Sequence, residues 1–286
     1  MQDALQLLAY GVVLGSILTL GAIGVSMLFG ILRFAHFAHG DMMTFGAYIA
    51  LSFITGLGFP VFAALPFAIV LTALLAITID RLVYRRLRKT QPVILLISSF
   101  GMAMALRALI QMIWGPGNHV YVQGIQIPYR VFGVAIKPDH ITIVISAFVL
   151  VAALNLFLHR TKLGKAMRAM ADNPDLAAIT GIDNERVILW TWVIGGGLAA
   201  SAGVFMAMDT HLNPTIGWHI LLMVFAATIL GGIGKIYGAI LGGLAIGIAV
   251  EMSTMVIEPV YKPAVAFGIM VVMLIVRPSG LLGGRT

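Results

Sequence analysis

The feature that most constrains this chain is the length of its apolar runs. They extend for about 16 to 27 residues, close to the ~20 that cross a hydrocarbon core as a helix. Backbone groups in lipid must be paired within their own segment, so runs of this length are helices. Closed barrels instead give ~10-residue segments that alternate apolar and polar residues, a pattern absent here. Charged residues make up only 10% of the 286 positions, against roughly one quarter in soluble domains. Mean hydropathy is +1.02. The expected fold is an all-α polytopic membrane protein, a bundle of about eight to nine transmembrane helices forming a single domain over residues 1–286.

The spans fall near 6–31, 42–57, 60–80, 93–114, 140–159, 187–208, 217–234, 236–257 and 263–277. The 42–57 stretch is short, and Gly46, Gly56, Gly58 and Pro60 read as interruptions. It is either a crossing or a re-entrant half-helix. Arg81, Arg85, Arg86, Arg88 and Lys89 form one basic cluster; Arg160, Lys162, Lys165, Arg168 and Arg186 form another. These ten of 18 basic residues mark the cytoplasmic side. The 115–139 loop, with only Arg130 and Lys137, then faces outward. The C-terminus, with Arg277 and Arg285, lies inside, and nine spans put the N-terminus outside. The net charge of +7 thus has a membrane explanation and calls for lipid as a partner, not nucleic acid. The absence of Cys excludes disulfides and thiolate metal sites. Met1-Gln2-Asp3 has neither a basic n-region nor a cleavage site, so the first span is expected to do the targeting.

Glycine is frequent inside the spans. Gly11-x-x-x-Gly15, Gly238-x-x-x-Gly242, Gly243-x-x-x-Gly247 and the Gly195-Gly196-Gly197 run are smooth faces for close helix packing. They name no substrate.

Polar residues at membrane depth are costly, so each asks for a partner or a cavity. Arg33, His36, His39 and Asp41 separate two apolar spans. His36 and His39 at i, i+3 share a helix face, a spacing compatible with a metal site. The simpler reading has no metal: Gly40 turns the chain and Asp41 caps the next helix. Arg107 and Gln111 share a face in the fourth span, and Arg107 has Glu251 as a conceivable carboxylate partner. Asn155 and Glu251 complete the stronger polar residues, with Ser98, Ser99 and Thr228 milder.

The longest polar interruption of the second half, within a loop at about 160–187, reads as two short helices. Lys165, Arg168 and Asp172 fall on a charged face, Met167, Met170 and Ala171 on an apolar one. Asn173 caps a second helix with Pro174 at its first position, and Gly181 ends it. Such a pair either rests on the membrane or docks a soluble partner. No G-x-x-x-x-G-K-[ST], H-E-x-x-H or G-x-S-x-G occurs, so no nucleotide loop or intramembrane enzyme constellation is visible.

The stretch Gly15–Ala50 has a glycine-rich span, a basic residue, Phe37-Ala-His-Gly-Asp41 and Gly46-Ala-Tyr48. It resembles the opening of LivH-type permeases of branched-chain amino-acid ABC importers. The resemblance continues through Ile97-Ser-Ser-Phe-Gly101 with Trp114-Gly-Pro116, Thr161-Lys-Leu-Gly-Lys-Ala-Met-Arg-Ala169 through Ile182, and Gly231 to Gly243. Phe34-Ala35 departs from the aliphatic residue and Asn common in relatives, and Lys162 and Lys165 make the cytoplasmic stretch Lys-rich.

The resemblance implies a transporter subunit of the bacterial inner membrane with no enzyme activity or cofactor of its own. A second, LivM-like permease subunit would complete the path. Two cytoplasmic ATPase subunits would carry ATP and Mg, and a periplasmic or extracellular solute-binding protein would deliver cargo. Thr161, Gly164, Lys165, Met167, Arg168, Ala169, Asp172, Pro174 and Gly181 would couple to an ATPase. Ser16, His36, His39, Asp41, Ser98, Ser99, Arg107 and Glu251 are the candidate translocation-path residues. The expected cargo is a branched-chain or related amino acid, with urea or short amides as family alternatives. A self-sufficient secondary transporter or channel is the rival reading.

Overall fold

The computed structural model describes residues 2–88, 90–121, 128–131 and 134–283; Lys89 and Arg285 of the basic ends lie outside them. The helices are α1 (Gln2–Leu32), α2 (His39–Leu57), α3 (Val61–Leu87), α4 (Pro92–Trp114), α5 (Pro138–Arg160), α6 (Lys162–Asp172), α7 (Pro174–Ile179), α8 (Asn184–Asp209), α9 (Ile216–Gly231), α10 (Ile236–Ser253) and α11 (Lys262–Val276). Among the described residues, seven helices are long and apolar enough to cross a membrane, the last running from Pro259 through α11. The other two apolar helices are α2, whose first turn carries His39 and Asp41, and α9, only 16 residues long. The expected 60–80 span runs on to Leu87 through a π-turn at Asp80–Tyr84. The 115–139 loop departs from pure helix: β1 (Tyr129–Val131) and β2 (Val134–Ile136) form an antiparallel ribbon.

The two basic clusters meet at one end. Glu185 at the start of α8 pairs with Arg85 (3.3 Å) and Arg88 (2.8 Å), and Arg88 also binds Asp80. At the other end, the Gln6 side chain bonds both the N–H and the C=O of Ala135. His119 pairs with Leu212 there through two backbone bonds. The start of α1 and the described residues of the 115–137 loop therefore share the end opposite the basic clusters.

α1 and α8 are hydrophobic around their whole circumference and are buried, as such helices must be. Glycine permits this. Cβ atoms at Gly11 and Gly15 would press on the α10 backbone at Ile248 and Leu244, and one at Gly247 on Gly15. α10 turns its other motif, Gly238 and Gly242, to Gly231 and Ala227 of α9. On α8, Gly195 faces Leu28, Gly196 faces Ala73 and Ala76, and Gly203 rests on the Met43 carbonyl. Lipid supplies no hydrophobic drive between helices, so this close van der Waals contact holds the bundle. α3, α4, α5 and α11 expose long apolar faces, including Val70, Met104, Phe148 and Val272.

One expectation about glycine is corrected: Gly46 does not interrupt α2 but lies within it against Ala200. Gly58, in the left-handed region at φ 69°, ends the helix. Gly203→Ala, which drives a methyl into the Met43 carbonyl, is expected to cost about 1–3 kcal/mol. Gly101→Ala on the open face of α4 should leave stability level or slightly higher. Thermal melting of the purified chain in detergent reads both.

Candidate functional site

α1 ends at Leu32, and the chain reverses through Arg33, which adopts φ 58°. A non-glycine residue in this region is uncommon and costs about 1–2 kcal/mol. The geometry frees the guanidinium to bond the Ala171 carbonyl of α6 at 2.6 Å. Residues 34–38 then climb back into the bundle before α2 begins. Part of their backbone is paired: Ser99 Oγ on α4 accepts from the Phe37 N–H (3.1 Å), and the His39 N–H bonds the His36 carbonyl. His36 is boxed by aromatic rings, with its Nε2 3.1 Å from Tyr84 Oη and its ring 5.0 Å from Trp192. Tyr84 and Trp192 stack at 5.4 Å. His39 packs against Gly24.

Asp41 was expected to cap α2, but no side chain caps that helix. Its carboxylate instead accepts a bidentate pair from Arg107, Nε to Oδ1 at 3.0 Å and Nη2 to Oδ2 at 3.1 Å. Gly40 was expected to turn the chain. It is helical, and its function is close approach: α9 crosses there at Gly217, whose N–H bonds Thr44 Oγ1 at 3.0 Å. Next to this crossing Asp41 is fully buried, while Arg107 retains 22% exposure. Arg107 also lies 5.0 Å over the Trp218 ring, a cation–π contact. Around it, Phe100 meets Trp218 and Phe37, and Phe37 meets Phe225. The result is a half-open aromatic wall on α4 and α9 with one guanidinium at its centre, part-way along the spans. It can stack apolar side chains and offer a cation to a carboxylate.

Of the sequence candidates, His36, His39, Asp41, Ser99 and Arg107 are brought together here, with Ser98 beside them on α4. Ser16 bonds within its own helix α1, to the Val12 carbonyl. Glu251 is not the partner of Arg107. It binds Lys262 at 2.6 Å at the opposite end from the basic clusters, near the His140–Asp209 pair. Trp218, Phe100, Phe37 and Phe225 were missed, because aromatic residues in apolar spans carry no mark that separates wall from core.

The second group of candidates forms a compact cap at the basic end. Thr161 Oγ1 accepts from the Gly164 N–H (2.9 Å) and caps α6. Gly164 is buried on the last turn of α5, where any side chain would meet the Leu158 backbone. Met167 and Met170 point into the bundle, whereas Lys165, Arg168, Ala169 and Asp172 are exposed. Asn173 accepts from Asp175 and Leu176 N–H groups to start α7 at Pro174, and Gly181 at φ 86° ends the pair.

Because Asp41 is fully buried and Arg107 is not, the two halves of the pair are unequal. Arg107→Met leaves an uncompensated buried carboxylate and is expected to cost about 3–5 kcal/mol. Asp41→Asn should cost distinctly less, since the guanidinium can extend to its open side. Equal melting shifts for the two variants would contradict this asymmetry.

The sequence pattern of the family "Branched-chain amino acid transport system / permease component" matches residues 7–274. The chain is 36% identical over 298 residues to the high-affinity branched-chain amino acid transport system permease protein BraD of Pseudomonas aeruginosa, covering 98% of this chain and 95% of that protein. It is 35% identical over 296 residues to the corresponding permease protein LivH of Escherichia coli K12, again covering 98% and 95%. A solved structure, PsaBC from Streptococcus pneumoniae in complex with Fab, superposes with a TM-score of 0.54 at 15% identity, covering 96% of this chain and 91% of that one. That likeness speaks to the fold alone. The chain is a multi-pass membrane protein that belongs to the branched-chain amino acid transport permease family.

Proposed function

We propose that this chain is a single-domain permease subunit of an ATP-driven importer in the bacterial inner membrane, with nine helices crossing the bilayer. In this reading the aromatic wall around Arg107 lines half of the path, and a second permease supplies the other half. Its cargo is a branched-chain or related amino acid. Phe37, Phe100 and Trp218 suit an aliphatic side chain, and Arg107 suits a carboxylate. An extracellular-side binding protein delivers the solute, and two ATPase subunits hold ATP and Mg at the basic end.

One observation carries the coupling role of α6 and α7: the Arg33 to Ala171 hydrogen bond. It ties the outermost amphipathic helix to the break between α1 and α2. Six residues past the break is Thr44, and Asp41 lies between. A push on α6 from an ATPase therefore reaches the Asp41–Arg107 pair through one short non-helical segment. Gly164 gives the other fixed point, because its contact with Leu158 seats α6 directly on α5. Lys165 presents charge to the partner, while Arg168 and Asp172, on the flank of α6 toward α5 and α10, set how that helix sits.

The test is uptake of labelled leucine by liposomes holding the permease pair, the ATPases and the binding protein. Gly164→Val, which lifts α6 off α5, and Arg168→Glu are expected to lower ATP-dependent uptake about fivefold or more. That is the lower end of a coupling free energy of ~1–3 kcal/mol. Binding-protein docking should persist in both. Unchanged uptake in both variants would sink the coupling role. Ion-driven uptake by this chain without an ATPase would replace the importer reading with a secondary carrier.

A further inference from the structure

A cavity of about 270 Å³ opens at the basic end between α5, α6 and the start of α10. Arg168, Lys235 and His159 contribute its basic groups, and Asp172 is the single carboxylate in its lining. Among the described residues, neither Arg168 nor Lys235 lies within ion-pair distance of a carboxylate. Two cations thus line a common space whose one carboxylate, Asp172, forms an ion pair with neither. His159 Nδ1 lies 3.0 Å from the Asn155 carbonyl and donates to it, so Nε2 can donate to an anion in the imidazolium form.

The far wall is pre-built by a bond that also accounts for a polar residue inside α5. Tyr237 Oη donates to Asn155 Oδ1 at 2.8 Å, and the Tyr237 ring lies 6.2 Å from His159. Tyr237 is exposed, as is Leu156 on α5 and Leu241 one turn further along α10. The cavity is therefore basic within, aromatic at its rim and apolar toward the membrane. A tyrosine at such a rim is placed where membrane and water meet. Basic pockets between helices on the cytoplasmic side are suited to lipid phosphate groups, and guanidinium binds phosphate by paired N–H donors.

We propose that this cavity binds the phosphate of an anionic phospholipid headgroup from the inner leaflet, held by Arg168, Lys235 and His159 and with its acyl chains along Leu156 and Leu241. The shared chemistry is a phosphate anion, and a free phosphate ion is the competing source. The exposed apolar flanks favour the lipid. Because Arg168 stands on α6, the lipid braces that helix against α5 and α10. The site is independent of what is transported, and its test does not use transport.

The full chain, purified in detergent and exposed to defined lipid, is examined by native mass spectrometry. Phosphatidylglycerol should be retained in preference to phosphatidylcholine. Lys235→Gln and His159→Gln should each weaken retention, Lys235→Gln by about fivefold, the value of one cation near an anionic surface. Lys235→Arg should keep it, and so should Lys137→Gln at the opposite end. Equal retention of the two lipids, or full retention in the Lys235→Gln/His159→Gln double variant, would overturn the proposal. Displacement of phosphatidylglycerol by millimolar inorganic phosphate would also overturn it, by assigning the site to a soluble anion.

Discussion

A chain in hydrocarbon must pair every backbone polar group without help from water, and any departure from helix at membrane depth has to be compensated locally. Residues 33–38 are such a departure, and much of the site follows from how they are satisfied. The Arg33 N–H still bonds the Phe29 carbonyl, the Ser99 hydroxyl takes the Phe37 N–H, and the His39 N–H returns to His36. Aromatic rings from α3 and α8 close around His36 and keep the segment in protein rather than lipid. Because the break re-enters the bundle, α2 begins deep, and the carboxylate in its first turn arrives buried. That burial is tolerable only with a full counter-charge, which Arg107 supplies in bidentate form.

The same logic explains the distribution of glycine. A buried pair between α2 and α4 requires α9 to cross α2 closely enough to seal it. Gly40 against Gly217 is the contact that allows this. Around this crossing, α8 uses glycines against α1, α2 and α3, and α10 uses them against α1 and α9. The exposed helices carry almost none of this close packing. The rigid part of the molecule is thus its interior, with α6 and α7 attached at the rim through Arg33, Gly164, Met167 and Met170. Burial of the two methionines contributes about 1.5–3 kcal/mol each, enough to hold a short helix pair to the bundle while its charged side stays free.

The fold was legible because the signals are local. Apolar length places a helix whatever its neighbours are, and the segment ends near Leu57, Trp114 and Ser253 fall within a few residues of expectation. The α6–α7 pair was equally readable, since Thr161, Asn173, Pro174 and Gly181 act on backbone groups one to three residues away. The basic ends were readable through Lys and Arg alone, and the Arg85–Glu185 pair joins them in space.

Pairing across helices was a different matter. The cost of charge at membrane depth asks a partner of Arg107 and a role of Asp41, and the sequence offered Glu251 for the one and a helix cap for the other. The choice depends on which helices touch, and that is set by close glycine contacts between segments as far apart as residues 40 and 217. The aromatic wall was invisible for the same reason, because a tryptophan in an apolar span looks alike whether it faces core, lipid or a path. The sequence by itself determined the helices and the amphipathic cap, since each rests on short-range hydrogen bonding and on transfer from water to lipid. Only the tertiary structure decided which charges meet, because an ion pair buried in the bilayer is a property of two helices and their crossing, not of either one alone.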